Sequence, residues 1–121
     1  MRTSSYSVTI NSHPGKGELV VLFGGHAQTA PAHQVGPQLL DYFLIHIVVA
    51  GKGSFRCLGH DYPLEKGFCF VAFPGELISY ASDLQDPWLY RWIGFKGNRA
   101  DEILASIGIT ANHPIADSRK Q

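Results

Sequence analysis

Short apolar stretches separated by glycine-containing turns fill the middle of the sequence. The stretches that predict strands cover residues 18–25, 41–50, 54–58, 60–64, 68–73, 77–82 and 88–95. Turn signals such as Gly51-Lys52-Gly53 and Pro74-Gly75-Glu76 follow several of them directly. Short strands at this spacing predict a mainly β fold, either an antiparallel sandwich or a small barrel. The stretch 41–50 is apolar on both faces, so we expect another element to cover its outer side.

The segments that flank this β-rich region carry different signals. Residues 1–17 are polar, and we expect an arm with little structure of its own. Residues 26–38 contain two prolines and no sustained periodicity, which predicts an extended or looped segment. We therefore divide the chain into an arm at 1–17, a barrel at 18–97, and a helix with the start of a linker at 98–121.

One helix is predicted near the end of the chain. Asn98 is a candidate N-cap, and Gly108 is a candidate stop signal. Between them, acidic residues occupy the first turn and an apolar stripe follows. The stripe consists of Ile103, Leu104 and Ile107.

Composition limits the classes of partner. The chain has 121 residues, and its ten Lys and Arg balance ten Asp and Glu. Because the basic residues are scattered, we expect neither nucleic-acid binding by this chain itself nor attachment to an anionic membrane. The longest apolar run, residues 42–51, is too short to span a bilayer. Cys57 and Cys69 lie within predicted strands, which favours buried, reduced thiols and a cytoplasmic location.

The sequence contains few signals for a metal site or for a catalytic nucleophile. A barrel metal site commonly uses an H-x-H pair, but the residues two positions from His46 are Leu44 and Val48. We therefore expect no metal or other cofactor, and we interpret His46 as a hydrogen-bonded core histidine. The sequence has no G-x-S-x-G motif, and neither cysteine has an activation signal, so we expect no enzyme activity.

The last predicted strand concentrates large aromatic side chains. With a period of two, Trp88, Tyr90 and Trp92 share one face, and Tyr80 on the preceding strand adds a fourth ring. Two interpretations remain open: a plain aromatic core, or the lining of a pocket. A small barrel can hold one ligand, and such rings pack on the C–H faces of sugars while their N–H and O–H groups reach hydroxyls.

Several motifs in a fixed order resemble a known family. They are Gly51-Lys52-Gly53, Leu64-Glu65-Lys66-Gly67, Phe73-Pro74-Gly75-Glu76, Asp86-Pro87-Trp88, and the strand ending at 92–97. Their order and spacing resemble the N-terminal effector-sensing domain of AraC-type transcription regulators, over about residues 18–114.

The resemblance implies a cupin-like β-barrel of jelly-roll type that binds a small effector, often a saccharide. It also implies that DNA is bound only through a C-terminal helix-turn-helix domain absent from this chain, and that a homodimer is possible. Tyr80, Tyr90 and Trp92 match the sugar-contacting positions of an arabinose sensor, in which a histidine stands where this chain has Tyr90. The further ligand-binding candidates are Trp88, His33, Gln38 and His46. Val35 and His26 are alternatives in residues 25–37, which resemble the segment that leads into the barrel in this family.

Two other functions remain as alternatives. A cupin-type isomerase or oxygenase acting on a sugar-like substrate would need a metal or an acid–base pair inside the barrel. A dimerisation module without a ligand would need a dry, filled core.

Overall fold

Two antiparallel sheets enclose an aromatic core in the computed structural model, which describes residues 5–11, 17 and 19–119. The strands are β1 (Ser5–Ile10), β2 (Val20–Gln28), β3 (Gln34–Leu39), β4 (Phe43–Ala50), β5 (Lys52–Cys57), β6 (His60–Glu65), β7 (Phe68–Ala72), β8 (Leu77–Ser82), β9 (Leu89–Lys96) and β10 (Ile115–Asp117). One sheet has the order β1-β2-β9-β4-β7-β10, and the other has the order β3-β8-β5-β6. The prediction of a mainly antiparallel β fold with one short helix is confirmed.

Alternation along the strands at the centre of the larger sheet decides which side chains face the core. His46 of β4 pairs with Trp92 of β9, and Val48 pairs with Tyr90. Directly opposed residues in an antiparallel pair point to the same face. The inner face of this sheet is therefore aromatic where β4 and β9 meet.

The outer face of the same sheet carries a second apolar cluster beneath α1 (Ala100–Ser106). This outer cluster consists of Phe43, Cys69, Val71, Phe73, Phe95, Ala100, Leu104 and Ile109. It explains part of the outward-facing apolar surface of β4, because Phe43 is buried in it and Ile45 packs against it, whereas Ile47 and Val49 are exposed.

The boundaries of α1 differ slightly from the prediction. Arg99, rather than Asn98, occupies the N-cap position. Gly108 adopts a φ of +85°, the left-handed conformation that ends a helix, so the predicted stop is confirmed. Ile107, the last residue of the predicted apolar stripe, is the C-cap residue and is 59% exposed, because the helix ends one residue earlier.

Two segments predicted to lack regular structure form strands. Within 1–17, β1 pairs with β2 along its whole length, from Ser5 opposite Gln28 to Ile10 opposite Phe23; residues 1–4 and 12–16 lie outside the described residues. Within 26–38, β2 continues to Gln28 and β3 begins at Gln34. The sheet accommodates Pro37 because β3 is an edge strand with a register shift between Val35 and Gln38.

Both cysteines are buried and free, as predicted. Burial and the charge of Glu76 raise the pKa of the Cys57 thiol to about 11, and burial raises that of Cys69. Both groups are therefore protonated, unreactive thiols near neutral pH. In the part of the chain that the structure describes, no helix is long and apolar enough to cross a membrane.

Candidate functional site

Two adjoining volumes lie between the sheets and share the rings of Tyr90 and Trp92. The inner volume, here called the chamber, measures about 100 Å³; its lining residues are Phe23, Leu44, His46, Tyr80, Tyr90 and Trp92. The outer volume, here called the vestibule, measures about 420 Å³; its lining residues are Ser5, Ala27, Gln28, Thr29, Ala30, His33, Tyr90 and Trp92. The two shared rings therefore line both a small volume among mostly buried side chains and a larger volume next to it.

The rings at this boundary are fixed by contacts with one another. The Tyr90 and Trp92 rings lie 5.6 Å apart with an interplanar angle of 88°, an edge-to-face pair. Tyr80 on β8 approaches Tyr90 to 6.1 Å between ring centroids, at 72°. Edge-to-face contacts are favourable because the positive edge of one ring meets the negative face of the other. The half-buried Trp92 indole thus stands in one orientation at the entrance to the chamber.

Gly25 on β2 makes room for the Trp92 indole. It lies opposite Trp92 in the β2–β9 register. A Cβ at this position would come within 2.5 Å of the Trp92 ring and 2.2 Å of the Ser7 carbonyl oxygen. Glycine therefore allows both the indole and the backbone of β1 to approach β2 closely.

His46 lies at the inner end of the site and is 1% exposed. Its ring stacks on Phe70, with centroids 4.5 Å apart and planes 6° from parallel. Burial lowers the pKa of His46 to about 3, so the imidazole is neutral at physiological pH. Its Nδ1 has no hydrogen-bond partner among the described residues, which corrects the expectation of a hydrogen-bonded core histidine.

The two tyrosines of the chamber offer neutral hydroxyl groups. Burial raises the pKa of Tyr80 far above its ordinary value and raises that of Tyr90 to about 12. Both phenols therefore stay protonated, and each can donate one hydrogen bond and accept others. The chamber combines apolar rings with neutral groups that suit a hydroxylated guest.

The vestibule wall is held by hydrogen bonds to the segment that precedes β9. The Thr29 hydroxyl donates to the Trp88 carbonyl at 2.9 Å. The Gln28 side-chain amide donates to the Pro87 carbonyl at 3.1 Å. On the other side, the His33 backbone N–H donates to the Ser82 hydroxyl at 2.9 Å, and that hydroxyl donates to the Ala30 carbonyl at 2.7 Å. These bonds hold residues 28–33 in place at the mouth of the site.

None of the described residues that line the chamber or the vestibule is Asp, Glu, Lys or Arg. A larger open groove of about 750 Å³ lies elsewhere, with Lys52, Glu65 and Asp83 in its lining. That groove shares no lining residue with the chamber or the vestibule. The interior site is thus distinguished by its aromatic, uncharged lining.

Five of the seven predicted ligand-binding residues line the interior site. Tyr80 and His46 border the chamber, His33 borders the vestibule, and Tyr90 and Trp92 border both. The structure brings these five together from the loop before β3 and from β4, β8 and β9.

Trp88 and Gln38, the other two predicted ligand-binding residues, line neither volume. Trp88 is 1% exposed, because its indole packs on Phe70 and lies against the backbone of Gly53. It is a core residue that shares a face with Tyr90 but lies deeper. Gln38 pairs with Ile78 after the register shift in β3, away from both volumes.

The two alternatives, Val35 and His26, also line neither volume. Val35 packs against the barrel core. His26 is in β2, paired with Arg91, and lines a groove on the outer surface of the sheet. The sequence analysis missed Phe23 and Leu44 of the chamber and several vestibule residues, which are Ser5 of β1, Ala27 and Gln28 of β2, and Thr29 and Ala30 after β2. The alternation of β2 was the signal that could have found the inward-facing ones.

Metal-binding groups are not clustered here. Across residues 5–11, 17 and 19–119, no group of three or more His, Cys, Asp or Glu side chains could hold a metal ion.

Comparison with known proteins gives a family match along most of the chain. The profile of the AraC-like ligand binding domain matches residues 21–120. The Msm operon regulatory protein of Streptococcus mutans is 38% identical over 72 residues, covering 60% of this chain and 26% of that protein. The lactose operon transcription activator of Staphylococcus xylosus is 32% identical over 72 residues, which again cover 60% of this chain and 26% of that protein. The raffinose operon transcriptional regulatory protein RafR of Pediococcus pentosaceus is 32% identical over 93 residues, covering 75% of this chain and 34% of that protein.

The chain therefore spans about a quarter to a third of the length of these curated relatives. Among solved structures, a Cupin 2 conserved barrel domain protein from Salinispora arenicola superposes with a TM-score of 0.61. It is 13% identical, and the match covers 85% of this chain and 84% of that one. At this identity the likeness shows the fold alone, and it confirms the predicted cupin barrel.

Proposed function

The chain belongs to the AraC-like ligand-binding domain family, and on this basis we propose that it senses a small carbohydrate effector for a cytoplasmic transcription regulator. The effector occupies the vestibule and reaches the chamber, and DNA is bound by a C-terminal helix-turn-helix domain outside this sequence. The observation that carries the proposal is the pair of adjoining interior volumes that share the rings of Tyr90 and Trp92.

The chemistry of the lining supports a carbohydrate. The Trp92 indole offers a flat apolar surface for the C–H face of a sugar ring, while the Tyr80 and Tyr90 hydroxyls exchange hydrogen bonds with sugar hydroxyls. The vestibule adds the polar side chains of Gln28, Thr29 and His33. A few polar groups placed in a mainly apolar cleft are typical of small-molecule sites.

The relatives support the same class of effector. Their names attach them to the control of a lactose operon and a raffinose operon. We propose by analogy that this domain serves a regulator of saccharide use. We also propose that it has no enzymatic activity, so a bound saccharide would be recovered chemically unchanged.

Signal transfer requires the effector to favour one arrangement of the protein over another. Ser5 of β1 lines the vestibule, so a ligand there contacts the N-terminal strand as well as the barrel. We propose that the effector stabilises the pairing of β1 with β2. This change would alter how the domain positions the DNA-binding domain of the full regulator.

Calorimetric titration with raffinose, lactose, galactose, glucose and arabinose tests the proposal. We expect at least one of these to bind and to raise the melting temperature. Trp92→Ala should weaken that binding about tenfold or more, because it removes the stacking surface. Ile93→Ala is the matched control, since Ile93 neighbours Trp92 on β9 but is 43% exposed on the outer face. Absence of binding to every sugar, or equal binding by wild type and Trp92→Ala, would contradict the proposal.

A further inference from the structure

The buried Nδ1 of His46 is a polar atom that the fold leaves unsatisfied. Buried polar groups in proteins are nearly always hydrogen-bonded, and an unpaired one costs about 1–3 kcal/mol. Among the described residues nothing pairs with this nitrogen, although the imidazole borders the chamber. The surrounding rings of Phe70, Tyr80 and Tyr90 lie within 5 Å of the imidazole, centroid to centroid. An unsatisfied group of this kind next to a cavity points to a ligand atom as its partner.

The chamber is too small for a whole sugar ring. Its volume of about 100 Å³ is about three times the ~30 Å³ that one water molecule occupies in the liquid. The vestibule is about four times larger, and it shares the lining residues Tyr90 and Trp92 with the chamber. A substituent such as a hydroxymethyl group fits the chamber, while the ring that carries it remains in the vestibule.

The chamber has no means of neutralising an ionic guest. Its lining consists of described residues without a formal charge, and His46 itself is held neutral by burial. A carboxylate or phosphate that enters the chamber would lose part of its hydration and find no opposite charge in the lining, which costs more than placing a hydroxyl there.

We propose that a neutral hydroxyl group of the effector enters the chamber and pairs with Nδ1 of His46, so that the domain selects uncharged saccharides over uronic acids and sugar phosphates. This inference rests on the proposed function. A hydroxyl is both donor and acceptor, so it satisfies Nδ1 in either neutral tautomer of the imidazole. His46 is then a specificity-determining residue at the inner end of the site, and Trp92 supplies the stacking surface at its entrance.

The proposal is tested with galactose and glucose, each compared with its uronic acid, its 6-phosphate and its 6-deoxy analogue. The parent sugar should bind the wild type at least about tenfold more tightly than the two ionic analogues. His46→Phe keeps an aromatic ring against Phe70 but removes both ring nitrogens, and should weaken binding of the parent sugar about tenfold. His46→Asn keeps a neutral group that can donate and accept, and should recover part of that loss. His113→Phe is the control, because His113 is an exposed histidine after α1.

Melting curves of the unliganded variants serve to check that each one folds. If galactose and glucose do not bind but raffinose or lactose does, the His46 variants are compared with that saccharide. Ionic analogues that bind as tightly as the parent sugar would overturn the inference. Unchanged affinity in His46→Phe would also overturn the inference. If Trp92→Ala abolishes binding in the same experiment, the proposed function still stands. Failure of every saccharide to bind the wild type would overturn both.

Discussion

At the residue scale, His46 is the least conventional choice in the barrel core. A phenylalanine would fill much the same space against Phe70 without a buried nitrogen to satisfy. The chain instead keeps an imidazole with an unpaired Nδ1 beside a cavity. Such a group lowers stability in the unliganded state, which fits a role in ligand recognition better than a role in packing.

The buried imidazole should make stability depend on pH between about 6.5 and 3. In the unfolded chain the pKa of His46 is about 6.5, whereas burial lowers it to about 3 in the folded protein. The unfolded state therefore binds a proton first, and the free energy of unfolding falls as pH drops below about 6.5. At pH 5.0 this one group should cost about 2 kcal/mol relative to pH 7.5, at 1.36 kcal/mol per pH unit. Urea denaturation at the two pH values measures the change.

The variant His46→Phe removes this titration, so it should lose about 2 kcal/mol less than the wild type on going from pH 7.5 to 5.0. His113→Phe should behave like the wild type, because His113 is exposed. Equal pH dependence in His46→Phe and the wild type would show that the histidine is not held neutral by burial.

The sequence could predict which face a side chain occupies, but not how deep it lies. Period-two alternation correctly placed Trp88, Tyr90 and Trp92 on one face, and the three rings do contact one another in order. Depth along the barrel separates them, since Trp88 meets Phe70 and Gly53 from other strands. Those contacts depend on how the sheets pack, which no local pattern contains.

At the element scale, β1 and β3 show where local signals fail. The β1 residues Ser5, Ser7 and Thr9 are small and polar, so they give no strong strand signal. The strand forms by pairing with β2, whose residues lie more than ten positions further along the chain. In β3, Pro37 argues against a strand, yet an edge position and a register shift accommodate it.

The strands of the middle region were predictable because each combines apolar residues with a turn signal. The helix was predictable because Gly108 and the acidic first turn mark its ends.

Gly25 connects three parts of the molecule: β1, β2 and the Trp92 indole. Gly25→Ala should therefore displace both the ring and β1, since the added methyl would lie 2.5 Å from the indole and 2.2 Å from the Ser7 carbonyl oxygen. We expect a loss of about 1–3 kcal/mol in the free energy of unfolding, as for other overpacked sites. Tryptophan emission should also change, and affinity for a bound saccharide should fall.

Gly24→Ala is the control for this substitution. Its added methyl would meet its nearest atoms, the Trp92 carbonyl oxygen and the Ile93 side chain, at 3.4 and 3.9 Å, which are ordinary contact distances. It should leave tryptophan emission and saccharide affinity close to those of the wild type. A Gly25→Ala protein with unchanged emission and stability would contradict the tight packing of β1 and Trp92 on β2.

At the scale of the whole molecule, the larger sheet separates two apolar clusters with different tasks. Its inner face contributes to the barrel core and to the interior site. Its outer face carries the cluster beneath α1, which includes Phe43, Phe95 and Leu104. Alternation within β4 and β9 assigns neighbouring residues to opposite clusters, so each strand serves both. We therefore expect that stability and ligand binding can be changed separately.

Leu104→Ala should show this separation. Leu104 is 4% exposed within the outer cluster, and truncating such a leucine lowers the free energy of unfolding by about 2–5 kcal/mol. Ile107→Ala, one turn further along but 59% exposed, should change it by less than about 0.5 kcal/mol. Urea denaturation measures both. Because neither side chain borders the chamber or the vestibule, saccharide affinity at a temperature where both variants are folded should match the wild type. A large loss of affinity in Leu104→Ala would mean that the outer cluster holds the inner rings in place, and the two faces of the sheet would then form one coupled unit.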